Sequence, residues 1–90
     1  MTNLELQIKA FKDEHFHKAD EYWHFRKLCE EVGELGEALM RGDDMDIMLE
    51  SGDVGIVLAG LLLCRDKSLS VSMATAMDKN EARLHREKQK

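Results

Sequence analysis

Hydrophobic side chains recur every three to four positions along most of the chain, a spacing typical of amphipathic helices. Four segments follow it, and we predict helices over residues 3–13, 21–41 and 46–65 and from residue 69 into the charged C-terminal tail. The sequence contains no proline and few runs of β-branched residues, which favours helices over strands. The polar stretch 13–20 is predicted to be a loop. We therefore expect an all-α chain in which residues 1–90 form one domain.

The breaks between the last three predicted helices carry residues that usually cap helix ends. Gly42 follows the second helix, where a glycine readily adopts the left-handed conformation. The aspartates after it, Asp43 and Asp44, can accept hydrogen bonds from the first amides of the third helix. Ser68 or Ser70 is expected to do the same for the fourth helix.

Placing residues 100° apart around the second helix puts one apolar stripe on its surface. Its members are Leu28, Val32, Leu35 and Leu39, and we expect them to face the core. Leu4, Ile8 and Phe11 form one stripe on the first helix, and Met73, Met77 and Leu84 form the buried stripe of the fourth.

The third helix is apolar nearly all round from residue 54 to residue 64, which is typical of a helix buried on every side. Three other short helices would not cover it, so we expect a helical oligomer. Gly52, Gly55 and Gly60 each cost about 1 kcal/mol relative to alanine in a helix interior. Close approach of a neighbouring helix would offset that cost, and simple tolerance is the alternative.

Composition excludes several classes of protein. The net charge is −5, whereas a nucleic-acid-binding protein needs a basic face to neutralise phosphates. The apolar run of the third helix is shorter than the roughly 20 residues that cross a bilayer, so no membrane association is expected. The N-terminal stretch lacks the apolar segment of a signal peptide. Cys29 and Cys64 form no metal-ligand spacing, so reduced thiols in the cytoplasm are expected.

Two acidic pairs lie beside apolar stripes on consecutive helices. Glu31 and Glu34 flank the stripe of the second helix, and Glu50 and Asp53 repeat the three-residue spacing on the third. If these helices pack antiparallel, the four carboxylates converge and repel one another unless a cation neutralises them. Oxygen ligands favour Mg²⁺, Mn²⁺ or Ca²⁺ over softer metals. Spacing alone gives equal weight to metal binding by these two pairs and to ordinary exposed acids. The other two glutamates of this part of the second helix, Glu30 and Glu37, are expected to face solvent.

The acidic motifs resemble those of the MazG-like all-α nucleotide pyrophosphohydrolases. The family pattern Glu-Glu-x-x-Glu followed by Glu-x-x-Asp is similar to the residues at positions 30–34 and 50–53, within "EEVGELGEAL" and "LESGDVGIVLAGLL". The later stretch "DKNEAR" resembles the family's Lys-Asn-x-x-Arg element, at Lys79, Asn80 and Arg83. The resemblance covers roughly residues 20–85.

This resemblance implies a four-helix bundle assembled as a dimer or a dimer of dimers. It implies Mg²⁺-dependent hydrolysis of a nucleoside or deoxynucleoside triphosphate to the monophosphate and pyrophosphate, with Mn²⁺ as an alternative metal and removal of unwanted nucleotides as the role. In that reaction water attacks the α-phosphorus and pyrophosphate leaves. Carried over to this sequence, the metal-binding and catalytic residues are Glu31, Glu34, Glu50 and Asp53.

Six further residues are candidates for binding the nucleotide, each with a structural alternative. Lys27 could contact a phosphate or form a surface ion pair with Glu31 four residues on. Trp23 could stack on a base or anchor the core, and His24 could contact the nucleotide or be a buried structural histidine. Lys79, Asn80 and Arg83 could clamp the triphosphate or belong to a solvated helix face.

Two other functions are compatible with the sequence. One is a nucleotide-binding or regulatory helical module without efficient turnover, which the sequence does not separate from the enzyme. The other is a purely structural helical oligomer, which has no need of acidic pairs beside its apolar stripes.

Overall fold

Four helices follow one another along the chain, and no strand occurs in the part of the protein that the structure describes. This computed structural model describes residues 1–89, and Lys90, the last residue of the expected domain, lies outside them. The helices are α1 (Asn3–His15), α2 (Glu21–Arg41), α3 (Asp44–Leu63) and α4 (Leu69–Lys88). The predicted all-α class is confirmed. Helix α1 extends two residues further than predicted, so the first loop is shorter.

The expected capping residues end and begin the helices. Gly42 terminates α2 in the left-handed conformation, with φ of 73°. The Asp43 side chain accepts a hydrogen bond from the amide of Asp46 and starts α3. Of the two serines considered, Ser68 is the one that caps α4. Local sequence therefore sets these helix ends.

Helices α2 and α3 form the main packed unit, an antiparallel hairpin closed by the short turn at Gly42. The buried residues of α2 are His24, Glu31 and Ala38, seven positions apart, and those of α3 are Ala59 and Gly60. A Cβ on Gly60 would lie 2.8 Å from the imidazole of His24, so only glycine allows this approach. The expected close approach is thus confirmed at Gly60. At Gly52 and Gly55 nothing lies within 4 Å of an added Cβ.

We expected the apolar stripe of α2 to face the core of its own chain, and it does not. Val32 is 51% exposed and Leu39 is 58% exposed, whereas Leu28 and Leu35 are half-buried. The face that packs on α3 is rotated by about 70° from the centre of the stripe. Small residues explain the rotation, because Ala38 and the glycine of α3 let the two backbones approach on that side.

The expected buried stripe of α4 is also wrong for the single chain, and most of the apolar stripe of α1 is exposed as well. The exposed members are Leu4, Phe11, Met73, Met77 and Leu84, and only Ile8 is half-buried. All residues from 73 to 89 are exposed, because α4 packs only weakly on α3 and no other helix covers its later turns. Helix α3 is itself incompletely covered, with Ile56 44% exposed.

The single chain exposes more surface than a compact protein of its size. Its accessible surface is 7007 Å², whereas a folded monomer of 10.3 kDa exposes about 5,400 Å². Its radius of gyration is 15.7 Å, compared with about 12 Å for a compact domain of 90 residues. Within residues 1–89, none of the helices combines the length and the apolar character that a membrane-spanning segment requires.

A buried carboxylate connects the start of α1 to the start of α4. Glu5 completes a capping box with Thr2, and its Oε2 accepts a hydrogen bond from the Ser68 hydroxyl at 2.7 Å. Hydrogen bonds from Ser70 and Ser68 lower the pKa of Glu5 to about 2 from an ordinary value of 4.5. The capping-box spacing of Thr2 and Glu5 is readable in the sequence, but the serine partners come from a helix more than sixty residues away.

We expect Glu5→Gln to destabilise the fold at neutral pH and to have a smaller effect in acid. Because the pKa of Glu5 is lower in the folded chain, its contribution is complete above pH 4.5 and is lost as the pH falls toward 2. Denaturant unfolding at several pH values should show the difference between wild type and variant shrinking over that interval. Glu14→Gln, on the exposed side of α1, is the control and should show no such trend. A difference independent of pH would contradict the prediction.

Candidate functional site

Three of the four predicted carboxylates converge where α2 faces α3. One carboxylate oxygen from each of Glu31, Glu50 and Asp53 lies within 4.8 Å of the others. The convergence follows from the antiparallel hairpin, which places the middle of α2 opposite the second turn and the middle of α3. We refer to these three residues as the carboxylate cluster.

Two oxygens of the cluster are buried without a hydrogen-bond partner. They are Oε2 of Glu31, whose residue is 6% exposed, and Oε2 of Glu50, whose residue is half-buried. Asp53 is exposed and leaves the cluster open to solvent on its side. Burying a charged oxygen without a partner is costly, so native proteins almost always pair such groups. Protonation of a carboxyl group or a bound cation would each remove this cost.

The donor set fits a hard divalent cation. All three side chains offer carboxylate oxygens, which Mg²⁺, Mn²⁺ and Ca²⁺ prefer. One oxygen of each side chain lies within 4.8 Å of the others, so one cation could be held by all three residues.

Glu34, the fourth predicted ligand, lies outside this cluster. Its side chain is exposed, and the residue sits about 60° further around α2 than Glu31, away from the contact with α3. Glu30 and Glu37 are exposed, as we expected from their positions on the helix.

Lys27 is the basic side chain at the cluster. Its Nζ lies 3.3 Å from Oε1 of Glu31 and 3.5 Å from Oε2 of Glu30. The hydrogen bond and charge of Glu31, with a smaller contribution from Glu30, raise the pKa of Lys27 above its ordinary value. The predicted ion pair between Lys27 and Glu31 is therefore present. The lysine remains charged across the physiological range.

The two aromatic candidates occupy a layer next to α1. The Trp23 ring centroid is 5.3 Å from that of Phe16 and 5.0 Å from that of His24. His24 is 3% exposed, and its Nδ1 lies 2.7 Å from the carbonyl oxygen of Asp20. Its surroundings are those of a buried structural histidine, whereas half-buried Trp23 keeps part of its ring accessible.

The proposed phosphate clamp on α4 is not joined to the cluster in the single chain. Lys79, Asn80 and Arg83 are exposed, and within residues 1–89 no ion pair or hydrogen bond connects them to the three carboxylates. Arg83 instead approaches Glu87, with 4.0 Å between Nε and Oε1.

Two contacts at the end of the hairpin away from the Gly42 turn could not be predicted from the sequence. The Cys64 Sγ lies 3.7 Å from Nδ1 of His24, and Arg65 forms a two-pronged ion pair with Glu21. The partners are 40 or more positions apart and share no motif, so only the packing of α3 on α2 brings them together. Both cysteines are free, as we expected.

Comparison of the chain with protein-family models, with curated proteins and with solved structures gave no match. The resemblance to the MazG-like enzymes therefore rests on the residues of the acidic motifs. The function has to be inferred from the geometry of the carboxylate cluster.

Proposed function

We propose that this protein is a Mg²⁺-dependent nucleoside triphosphate pyrophosphohydrolase that releases the monophosphate and pyrophosphate. The observation that carries the proposal is the carboxylate cluster, with its two buried and unpaired oxygens. A solvated acidic face would not bury these oxygens, and a purely structural hairpin would be more stable with apolar residues there. The MazG-like spacing of the same residues supplies the reaction class.

Different residues of the chain have different roles in the proposed reaction. Glu31, Glu50 and Asp53 would hold the cation, and Lys27 lies where it can contact a phosphate oxygen. When bound, Mg²⁺ would supply positive charge that stabilises the phosphate oxygens during displacement. A carboxylate oxygen that remains free can accept a hydrogen bond from the attacking water and orient it. Trp23 supplies an aromatic face for a base.

We propose that the working form is an oligomer of this chain. The chain exposes about 1,600 Å² more surface than a compact monomer of its mass. A standard interface buries about 800 Å² on each partner, and obligate homodimers bury more. The excess is therefore enough for a stable dimer, and a dimer of dimers has room to form.

The apolar stripe of α2 supplies the contact surface for a second copy. Together with Phe25, its members follow a seven-residue pattern of alternating three and four steps: Phe25, Leu28, Val32, Leu35 and Leu39. That pattern is the seam by which helices pack in coiled coils. Lys79, Asn80 and Arg83 would contribute to phosphate binding only in the assembly, because in one chain they contact none of the carboxylates.

A nucleotide-binding or regulatory module without turnover is the second candidate. The exposed side of the cluster at Asp53 and the cationic Lys27 would serve binding as well as catalysis. A measurement of nucleotide turnover distinguishes this module from the pyrophosphohydrolase.

The decisive experiment measures pyrophosphate release from a panel of canonical and modified NTPs and dNTPs, with Mg²⁺, with Mn²⁺ and with EDTA. We expect release that requires the metal and yields the monophosphate, and the panel ranks base and sugar at the same time. Binding of nucleotide without release from any panel member would favour the regulatory module. Neither binding nor release, with the protein folded and oligomeric, would contradict both candidates.

A further inference from the structure

The ammonium group of Lys27 pairs with Glu31, the most buried member of the carboxylate cluster. Its Nζ pairs with Oε1 of Glu31, while the other oxygen of the same carboxylate has no partner. The lysine side chain is 38% exposed and the glutamate side chain 8% exposed, so the pair is screened by the protein on one side and open on the other.

We infer that Lys27 is a tethered counter-ion that weakens the binding of a free divalent cation and favours binding of the cation together with a triphosphate. The inference rests on the proposed function and names Lys27 as a positioning residue that couples the two ligands. In the absence of substrate the lysine supplies the positive charge that Glu31 requires. A triphosphate brings negative oxygens to which the same ammonium group can turn.

Electrostatics gives the direction of the effect. A single positive charge within several ångströms of a divalent cation opposes its binding, and in partly buried surroundings the repulsion exceeds the 1.4 kcal/mol that corresponds to a tenfold change in affinity. A complex of the cation with triphosphate is negative overall. The same lysine therefore repels the free cation and attracts the complex.

The geometry also provides a route for the lysine to leave Glu31. Glu30 holds the same Nζ at 3.5 Å and is exposed, so the ammonium group already has a second partner on the solvent side. Exposed ion pairs of this kind are weak, so a phosphate can replace them at little cost. The four-carbon stem of lysine allows the movement without any change in the helix.

The test compares wild type with Lys27→Met, which removes the charge and keeps most of the length. Isothermal titration calorimetry would measure Mn²⁺ alone and then the 1:1 complex of Mn²⁺ with inorganic triphosphate. We expect Lys27→Met to bind free Mn²⁺ about tenfold more tightly and the complex more weakly, by a similar factor. Lys27→Arg keeps the charge and should bind both probes within about threefold of wild type.

Arg26→Met is the matched control, because Arg26 is exposed, carries the same charge one position away and forms no ion pair within residues 1–89. We expect both of its affinities to stay within about twofold of wild type. Changes of the same sign for the two probes in Lys27→Met would mean that the lysine only supports the shape of the site, and would overturn the inference. Unchanged affinities would overturn it as well. A wild-type protein that binds neither probe would instead refute the proposed metal site itself.

Discussion

Replacing Asp53 with asparagine is expected to lower Mg²⁺-dependent pyrophosphate release by at least about 100-fold, the scale seen when a group that stabilises transition-state charge is removed. Asp53 is the exposed member of the carboxylate cluster, so the isosteric change removes one charge and leaves the packing of α3 on α2 intact. Release should be followed with the best substrate of the panel at saturating Mg²⁺. Circular dichroism should show an unchanged helical content.

A second measurement separates loss of metal from loss of fold. A cation that binds only the folded protein raises its melting temperature, by an amount that grows with the ratio of the cation concentration to its dissociation constant. Wild type should therefore gain stability as Mg²⁺ is added, and Asp53→Asn should lose most of that gain. If the variant stays active, or if Mg²⁺ stabilises it as much as it stabilises wild type, Asp53 is not a ligand of the cation.

Glu34→Gln is the informative companion variant, because the motif and the geometry disagree about it. The resemblance to the MazG-like pattern predicts that Glu34 is a ligand, whereas its side chain lies outside the cluster. A loss as large as that of Asp53→Asn would show that Glu34 turns toward the cation when it binds. Glu37→Gln, at another exposed position of α2, is the control and should retain activity.

Leu39→Lys is expected to dissociate the proposed oligomer. The substitution places a charge at the last position of the apolar seam of α2, where a second copy would have to bury it without a partner. Loss of this apolar contact together with burial of that charge should weaken association by at least about 100-fold. Because the side chain is 58% exposed in the single chain, the helical hairpin itself should still fold. Sedimentation velocity over a range of concentrations would measure the change.

Met40→Lys is the matched control for the seam. Met40 is 89% exposed, is also apolar, and lies about 100° around the helix from Leu39. Its substitution should leave the association unchanged. Equal dissociation of both variants would contradict α2 as the contact surface, and a wild-type protein that sediments as a 10.3 kDa monomer would refute the oligomer.

Local features of the sequence predicted the helices closely. The ends of α2 and α3 depend on Gly42 and Asp43, whose preferences are properties of their own backbone and side chain. The number, order and approximate length of the helices follow from such signals together with the spacing of apolar residues. The face that each helix buries does not follow from them.

The case of α2 shows why the buried face escaped prediction. A helical wheel identifies the apolar stripe, but it cannot tell whether a helix of the same chain or of another copy covers it. Ala38 and Gly60 decide this, because small side chains permit a closer approach on the flank of the stripe than on the stripe itself. The sum of side-chain contacts along both helices selects the packing, and that sum is not visible in one helix alone.

The sequence by itself determined an all-α chain of four helices, their capping residues, and two acidic pairs that belong on neighbouring helices. The tertiary structure decided which carboxylates meet, since Glu31 reaches Glu50 and Asp53 across the hairpin, while Glu34, three residues further on, lies about 60° further around α2. It also decided that Glu31 is buried and that, within residues 1–89, one oxygen of Glu31 and one of Glu50 have no hydrogen-bond partner. Spacing fixes the angle of a residue on its own helix, but only the packing of two helices fixes the distance between residues on both.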